Sequence, residues 1–187
     1  LVSAHLRGSK ADIWDGGHRI PFIVRWPGVV EAGSMSDQLI CLTDLFATTA
    51  DLLQVEIPAD TCEDSVSFLP ALSGEPIESN RHGVVHHSIS GHFAYRYGPW
   101  KLILAKGSGG WTSPPEKEMP KDALPAQLFH LDRDPGETTY LYLENPDKVD
   151  DLLALLLEDV RRGRSTAGDA ASNDVELEKI NLWKSGK

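Results

Sequence analysis

Ile20-Pro21-Phe22-Ile23-Val24-Arg25-Trp26 is an apolar run too short for a helix, and Pro27-Gly28 stops it. A run of this length, rich in β-branched and aromatic residues, reads as a strand buried on both faces, the kind that parallel sheets contain. Proline is tolerated near the start of such a strand, where Pro21 stands. A strand covered on both sides calls for helices on each face, so this portion is expected to belong to an α/β domain. Thr43-Asp44 supplies a helix start, after which Leu45, Thr48 or Thr49, Leu52 and Leu53 share one helical face. Residues 55–80, rich in Pro, Asp, Ser and Gly, form a connector that closes the first portion.

The rhythm then changes. Residues 83–89, 93–97, 100–104 and 127–131 read as four short strands. The breaks at Ser90-Gly91 and Gly98-Pro99 are short enough for hairpins, so an antiparallel sheet is expected. Residues 107–125, with Gly107-Ser108-Gly109-Gly110 and four prolines, form a surface loop. Asp132-Arg133-Asp134-Pro135-Gly136 is a turn. A helix follows: Asn145 is an N-cap, Pro146 suits the first helical position, and Val149, Leu152, Leu153, Leu156 and Val160 keep helical spacing. Arg161-Arg162 complement its negative end and Gly163 stops it. The expected organisation is 1–80, the end of an α/β domain; 81–163, a four-stranded antiparallel sheet with a packed helix (an α+β subdomain); and 164–187, a polar tail with one weak turn around 175–180.

Over 187 residues the net charge is −10, yet the first thirty residues hold Arg7, Lys10, Arg19 and Arg25 against Asp12 and Asp15. An acidic surface argues against a nucleic-acid partner, which needs a basic footprint. A locally basic opening is compatible with a site for a small anion, and equally with chance. No apolar run approaches the roughly 20 residues that cross a bilayer, so no membrane partner is expected. Leu1 opens into Val2-Ser3-Ala4-His5 without the charged leader or apolar core of a signal peptide. Cys41, in an apolar run, reads as a small buried hydrophobe, and Cys62 as an exposed thiol among acids.

No G-x-S-x-G elbow, phosphate loop or dinucleotide-binding glycine motif is present. His82, His86, His87 and His92 cluster, but adjacent strand residues point to opposite faces, which argues against a shared zinc for His86 and His87. One of these two is expected to face inward as a satisfied core or cleft histidine, the other solvent.

Leu6-Arg7-Gly8-Ser9-Lys10, then Asp15-Gly16-Gly17-His18-Arg19-Ile20-Pro21, then Arg25-Trp26-Pro27-Gly28, resembles the type I, formylglycine-dependent sulfatases, whose pattern there is L-R-G-x-K-x-x-x-x-E-G-G-x-R-x-P and a strand ending in W-P-G. Trp100-Lys101-Leu102 and Leu128-Phe129-His130-Leu131-Asp132-Arg133-Asp134-Pro135-Gly136-Glu137 resemble the C-terminal subdomain of the same family. The likeness extends to about Gly163. It departs at Asp15, where Glu is usual, and at Tyr140-Leu141-Tyr142-Leu143, where a polar Asn-Leu is common.

The resemblance implies part of an alkaline-phosphatase-like α/β fold and hydrolysis of sulfate esters, of small molecules or sulfated carbohydrates. It implies formylglycine as nucleophile and calcium as cofactor in the full-length enzyme. The family's C-x-P-S-R motif and its Asp and Asn metal ligands precede the segment seen here, so no metal ligand is expected among these residues and the chain alone is expected to be inactive. Lys10, the lysine of R-G-x-K, is the implied sulfate contact and catalytic residue. Arg7 shapes the anion site or, as the better reading, makes a structural ion pair. His87 or His86 is a candidate substrate contact by analogy. Gly16-Gly17 serve backbone geometry. A periplasmic or secreted location is what the family implies. Two rivals stand beside this reading: a related phosphonate or phosphodiester hydrolase, and a non-catalytic binding or structural module. Residues 20–26 and 39–53 are expected to drive self-association, through an unpaired strand edge and an apolar surface.

Overall fold

The computed structural model of the chain describes residues 3–78 and 81–174. Its elements, in order, are α1 (Asp15–His18), α2 (Asp44–Leu52), a 3₁₀ turn at Pro70–Ser73, strands β1 (Val84–His87), β2 (Phe93–Tyr97) and β3 (Trp100–Ile103), a second 3₁₀ turn at Glu116–Glu118, β4 (Gln127–His130), and α3 (Pro146–Arg162). The weak turn expected at 175–180 lies outside the described residues. The chain divides into two compact units. The described part of one comprises residues 3–20 and 85–157, and that of the other residues 21–78, 81–84 and 158–174.

In the first unit the four strands form one sheet in the order β1-β2-β3-β4. The β2 and β3 strands pair antiparallel with Ala94 opposite Ile103 and Arg96 opposite Lys101. β3 and β4 pair antiparallel with Lys101 opposite Phe129 and Ile103 opposite Gln127. Pleating therefore puts Ala94, Arg96, Lys101, Ile103, Gln127 and Phe129 on one face and Tyr95, Leu102 and Leu128 on the other.

Both faces are buried, and the first is covered from an unexpected direction. Ile13 and Trp14, from the polar opening loop, join Ala94, Ile103, Ala105, Phe129 and Leu131 in one core cluster. The Trp14 indole, 1% exposed, donates to Gln127 Oε1 at 3.0 Å. Burying roughly 150–250 Å² of indole at about 25 cal/mol per Å² is worth about 4–6 kcal/mol as an upper value. The opening loop is thus a structural lid on the sheet.

The α3 helix follows its sequence signals. Val149, Leu152 and Leu156 are buried, and Asp159 continues their stripe. Its end is a Schellman motif: Gly163 lies at φ +64°, its N–H donates to Val160 O at 3.2 Å, and the Arg164 N–H reaches Asp159 O at 3.2 Å.

The second unit departs from two expectations. Residues 20–26 form no strand. A strand exists only where a neighbour completes its ladder, and no described segment pairs with this one. Phe22 and Ile23 are exposed, Ile23 at 88%. In α2 the expected apolar face is also turned outward: Leu45, Leu52 and Leu53 are exposed, while Asp44, Ala47 and Thr48 are buried. Asp44 explains the reversal. Its carboxylate accepts from the Cys41 amide at 2.8 Å, the Val66 amide at 2.9 Å and both terminal nitrogens of Arg81 at 2.6 and 2.9 Å. Thr48 Oγ1 donates to Asp44 O and accepts from the Phe68 amide. Periodicity of apolar residues cannot register a face held by polar partners far along the chain. Both cysteines are free and half-buried, so Cys41 is not the core hydrophobe expected, nor Cys62 the exposed thiol.

Candidate functional site

The loop bearing Lys10 is built around a buried carboxylate. Asp12 is 2% exposed, and its Oδ2 accepts from the Ser9 amide at 2.7 Å while Oδ1 accepts from the amides of Trp111 and Thr112 at 2.8 and 3.0 Å. Burial pushes its pKa up, but the hydrogen bonds from Thr112, Ser9 and Trp111 outweigh that and hold it below the usual carboxylate value. Further ties come from the Ile13 amide to Ser108 O at 2.8 Å and the Ile89 amide to Ala11 O at 3.0 Å. Ala11, next to the lysine, sits at φ +86°, a conformation that costs a non-glycine residue and persists because the loop is over-determined around it. Lys10 itself is exposed and makes no hydrogen bond or ion pair to the described residues. The result is a free ammonium on a fixed backbone.

Beneath that loop lies a charged cluster that joins three separated stretches. Lys101, 0% exposed in the middle of β3, donates to Asp15 Oδ1 at 2.8 Å, to Glu137 Oε1 at 2.8 Å and to His18 Nε2 at 3.1 Å. All three ammonium protons are used. Glu137 Oε2 accepts from the Asp15 amide at 2.6 Å, and Asp15 meets Arg19 at 3.5 Å. The two carboxylates respond in opposite directions. Burial pushes Asp15 up, yet Lys101 draws it below its ordinary value. Burial carries Glu137 above its own, with Lys101 opposing and Asp15 reinforcing.

His18 falls to about 4, through burial and the neighbouring Lys101 charge, against the pull of Asp15. It is therefore neutral at pH 7, with Nε2 accepting from Lys101. His86 packs against it, the rings tilted by 47° with centroids 3.9 Å apart. Burial, then His18 and Lys101, hold His86 well below its ordinary pKa, and its Nε2 has no hydrogen-bond partner. The inward-facing histidine is thus His86, but it is not a satisfied one.

The double glycine is required by space. A Cβ on Gly16 would run into the carbonyls of Arg7 and Gly8, and one on Gly17 into the carbonyl of Asp12. Arg7 is occupied structurally: it donates to Glu137 O at 2.7 Å and to the Tyr140 hydroxyl at 3.0 Å, with its guanidinium 3.7 Å from the Trp14 ring centroid. His87 is exposed, its Nδ1 2.9 Å from Ser88 O. Among the described residues no hydrogen bond links Lys10 to Arg7, His86 or His87, so the four sequence candidates divide. Lys10 and His87 face solvent, while Arg7 and His86 are tied into the scaffold. A cavity of about 370 Å³ in the second unit, lined by Cys62, Glu78, Arg81 and Arg164 among others, contains none of them.

Sequence reasoning missed Asp12, Trp111 and Thr112, and it missed that Asp15, Lys101 and Glu137 meet. The last signal was available. A lysine between Trp100 and Leu102, in a strand that alternates toward a core, has to find anions.

No family model matches the chain. An N-acetylgalactosamine-6-O-sulfatase of Bacteroides thetaiotaomicron is 33% identical over 153 residues, a match covering 80% of this chain and 29% of that protein. A steryl-sulfatase of Rattus norvegicus is 34% identical over 194 residues, covering 95% and 33% respectively. A solved structure of a Bacteroides thetaiotaomicron sulfatase, described under the metabolism of multiple glycosaminoglycans, superposes with a TM-score of 0.68 at 33% identity, over 83% of this chain and 32% of that one. The chain belongs to the sulfatase family. It spans about a third of the length of the relatives it matches. In this sulfatase segment the departure at Asp15 is absorbed locally: the shorter carboxylate still reaches Lys101 at 2.8 Å, and Glu137 takes a second ammonium proton.

Proposed function

We propose that this chain is the C-terminal part of a sulfuric ester hydrolase acting on sulfated carbohydrate, and that Lys10 is its contact with the sulfate. The observation that carries the reading is the contrast between the two lysines of the R-G-x-K and W-K-L motifs. Lys101 is consumed by the scaffold, whereas Lys10 is exposed and unpaired on a loop fixed by Asp12. As a sulfate ester breaks, negative charge grows on the sulfate and leaving oxygens. A positioned ammonium stabilises that charge without reorganising.

Formylglycine and calcium, as the family implies, would supply the attacking oxygen and a second hold on the sulfate in the full-length enzyme. Among the described residues no three His, Cys, Asp or Glu side chains converge as a metal ligand set. His87, exposed at the end of β1, is the histidine available to the substrate; His86 and Arg7 act on the site through packing. The carbohydrate class is supported by the relatives, one an N-acetylgalactosamine-6-O-sulfatase and one described under glycosaminoglycan metabolism.

The test is Lys10→Ala in the full-length enzyme. Loss of one preorganised charged donor lowers kcat on the order of 10²–10³, with the unfolding transition unchanged because Lys10 has no structural partner. Near wild-type kcat would overturn the assignment. The purified chain alone is expected to leave nitrophenyl sulfate intact.

A further inference from the structure

We propose that Trp111 is the platform on which the sugar ring of the substrate lies while Lys10 takes its sulfate. An exposed aromatic is by itself ordinary. Trp111, 69% exposed, differs in how its backbone is held. Its amide donates to Asp12 Oδ1 at 2.8 Å, two residues from Lys10, and the next amide, of Thr112, donates to the same oxygen at 3.0 Å. The Thr112 hydroxyl lies 3.1 Å from Ser9 Oγ, on the other side of Lys10.

The loop beneath is seated without slack. Ser108 is fully buried, its amide bonds Pro114 O at 2.9 Å and its carbonyl accepts from Ile13. A Cβ at Gly110 would strike Ala11 O and Asp12 Oδ1, so this backbone approaches the Lys10 loop as closely as glycine allows. One buried carboxylate therefore fixes both the stretch that carries the free ammonium and the stretch that carries the free indole. Both side chains are exposed, Lys10 two residues before the shared anchor and Trp111 on the backbone amide that it holds.

A cation beside an aromatic face matches a ligand that carries an anionic group on a ring with a C–H face. Sulfated pyranoses and steryl sulfates both qualify. The residues flanking the two anchors favour the sugar: Ser9 beside Lys10, and Thr112 and Ser113 after Trp111, all carry hydroxyls, whereas a sterol needs a continuous apolar trough. Trp111 is then a specificity-determining residue and not a catalytic one. This inference rests on the functional reading above.

The experiment compares Trp111→Ala and Trp111→Phe in the full-length enzyme. The substrates are an oligosaccharide bearing N-acetylgalactosamine 6-sulfate and, in parallel, a steryl sulfate; inorganic sulfate serves as inhibitor. In W111A the KM for the sulfated oligosaccharide rises about tenfold, the scale of one ring stack, while W111F stays within about threefold and inhibition by inorganic sulfate within about twofold. W111A with a wild-type KM for the oligosaccharide overturns the platform alone. A larger KM increase for the steryl sulfate than for the oligosaccharide overturns the choice of ring. A wild-type enzyme that hydrolyses neither ester overturns the functional reading, and the platform with it.

Discussion

Lys101→Met keeps the reach of the side chain in β3 and deletes its charge. Three hydrogen bonds of 2.8, 2.8 and 3.1 Å disappear together. Asp15, also buried, retains the exposed Arg19 at 3.5 Å, so most of the penalty falls on Glu137, which is fully buried and keeps only the Asp15 amide. Breaking one side of a buried ion pair costs about 3–5 kcal/mol. Against a typical total of about 5–15 kcal/mol, that is enough to leave the sheet unit marginal. Glu137 already has its folded pKa raised above the ordinary 4.5, and losing Lys101 raises it further. A group raised in this way contributes stability below its unfolded value and loses it as pH climbs through the folded one. The deficit of the variant is therefore largest at neutral pH and shrinks toward pH 4.5. Urea titration read by hydrogen exchange at the β2–β4 amides isolates this unit, and adding Glu137→Gln to the variant recovers part of the loss at pH 7. A deficit below about 1 kcal/mol at pH 7 would refute the buried-pair reasoning, as would one independent of pH.

Gly17→Ala drives a methyl into the Asp12 carbonyl, so a loss of about 1–3 kcal/mol or more is expected in thermal unfolding; an unchanged Tm would show that the loop yields. His18 and His86 are both depressed below the ordinary 6.5, His18 to about 4. The unfolded chain then binds protons first as pH falls, so stability present above pH 6.5 is lost progressively toward pH 4, and a His18→Gln, His86→Asn double variant has a flatter profile in that window. Phe22, Ile23, Leu42, Leu45, Phe46, Leu52 and Leu53 are exposed in one unit, and self-association through them is proposed. Light scattering should report a mass that rises with concentration and falls with Phe46→Asp, and a clean monomer at high concentration would reject the proposal.

The strands and α3 were legible because their signals are local: alternation, glycine breaks, and the Asn145-Pro146 and Gly163 ends of one helix. Residues 20–26 carry every local mark of a strand, yet strand character is a relation between two segments and no described one answers it. In α2 the local pattern named the wrong face, because Asp44 is satisfied by Arg81, 37 residues away. The motif singled out Lys10, and the structure leaves it exposed, without a hydrogen bond or ion pair to the described residues. The Asp12 anchor was not legible, since a buried aspartate in a polar loop looks like any solvated one. Ile13-Trp14 read as part of a loop because two apolar residues have no period.

The bond from the Asp15 amide to Glu137 closes a loop of 122 residues. On a ribosome adding roughly 5–20 residues per second, Asp15 emerges about 6–24 s before Glu137. Throughout that interval the opening segment has neither β4 to receive Trp14 nor a second carboxylate to share Lys101. The contacts to the sheet that seat Ile13 and Trp14 are absent for that time, because the strands that make them are still being synthesised. The stretch that bears Lys10 is thus translated before the sheet it covers, and its tie to Glu137 can close only after β4 has been made.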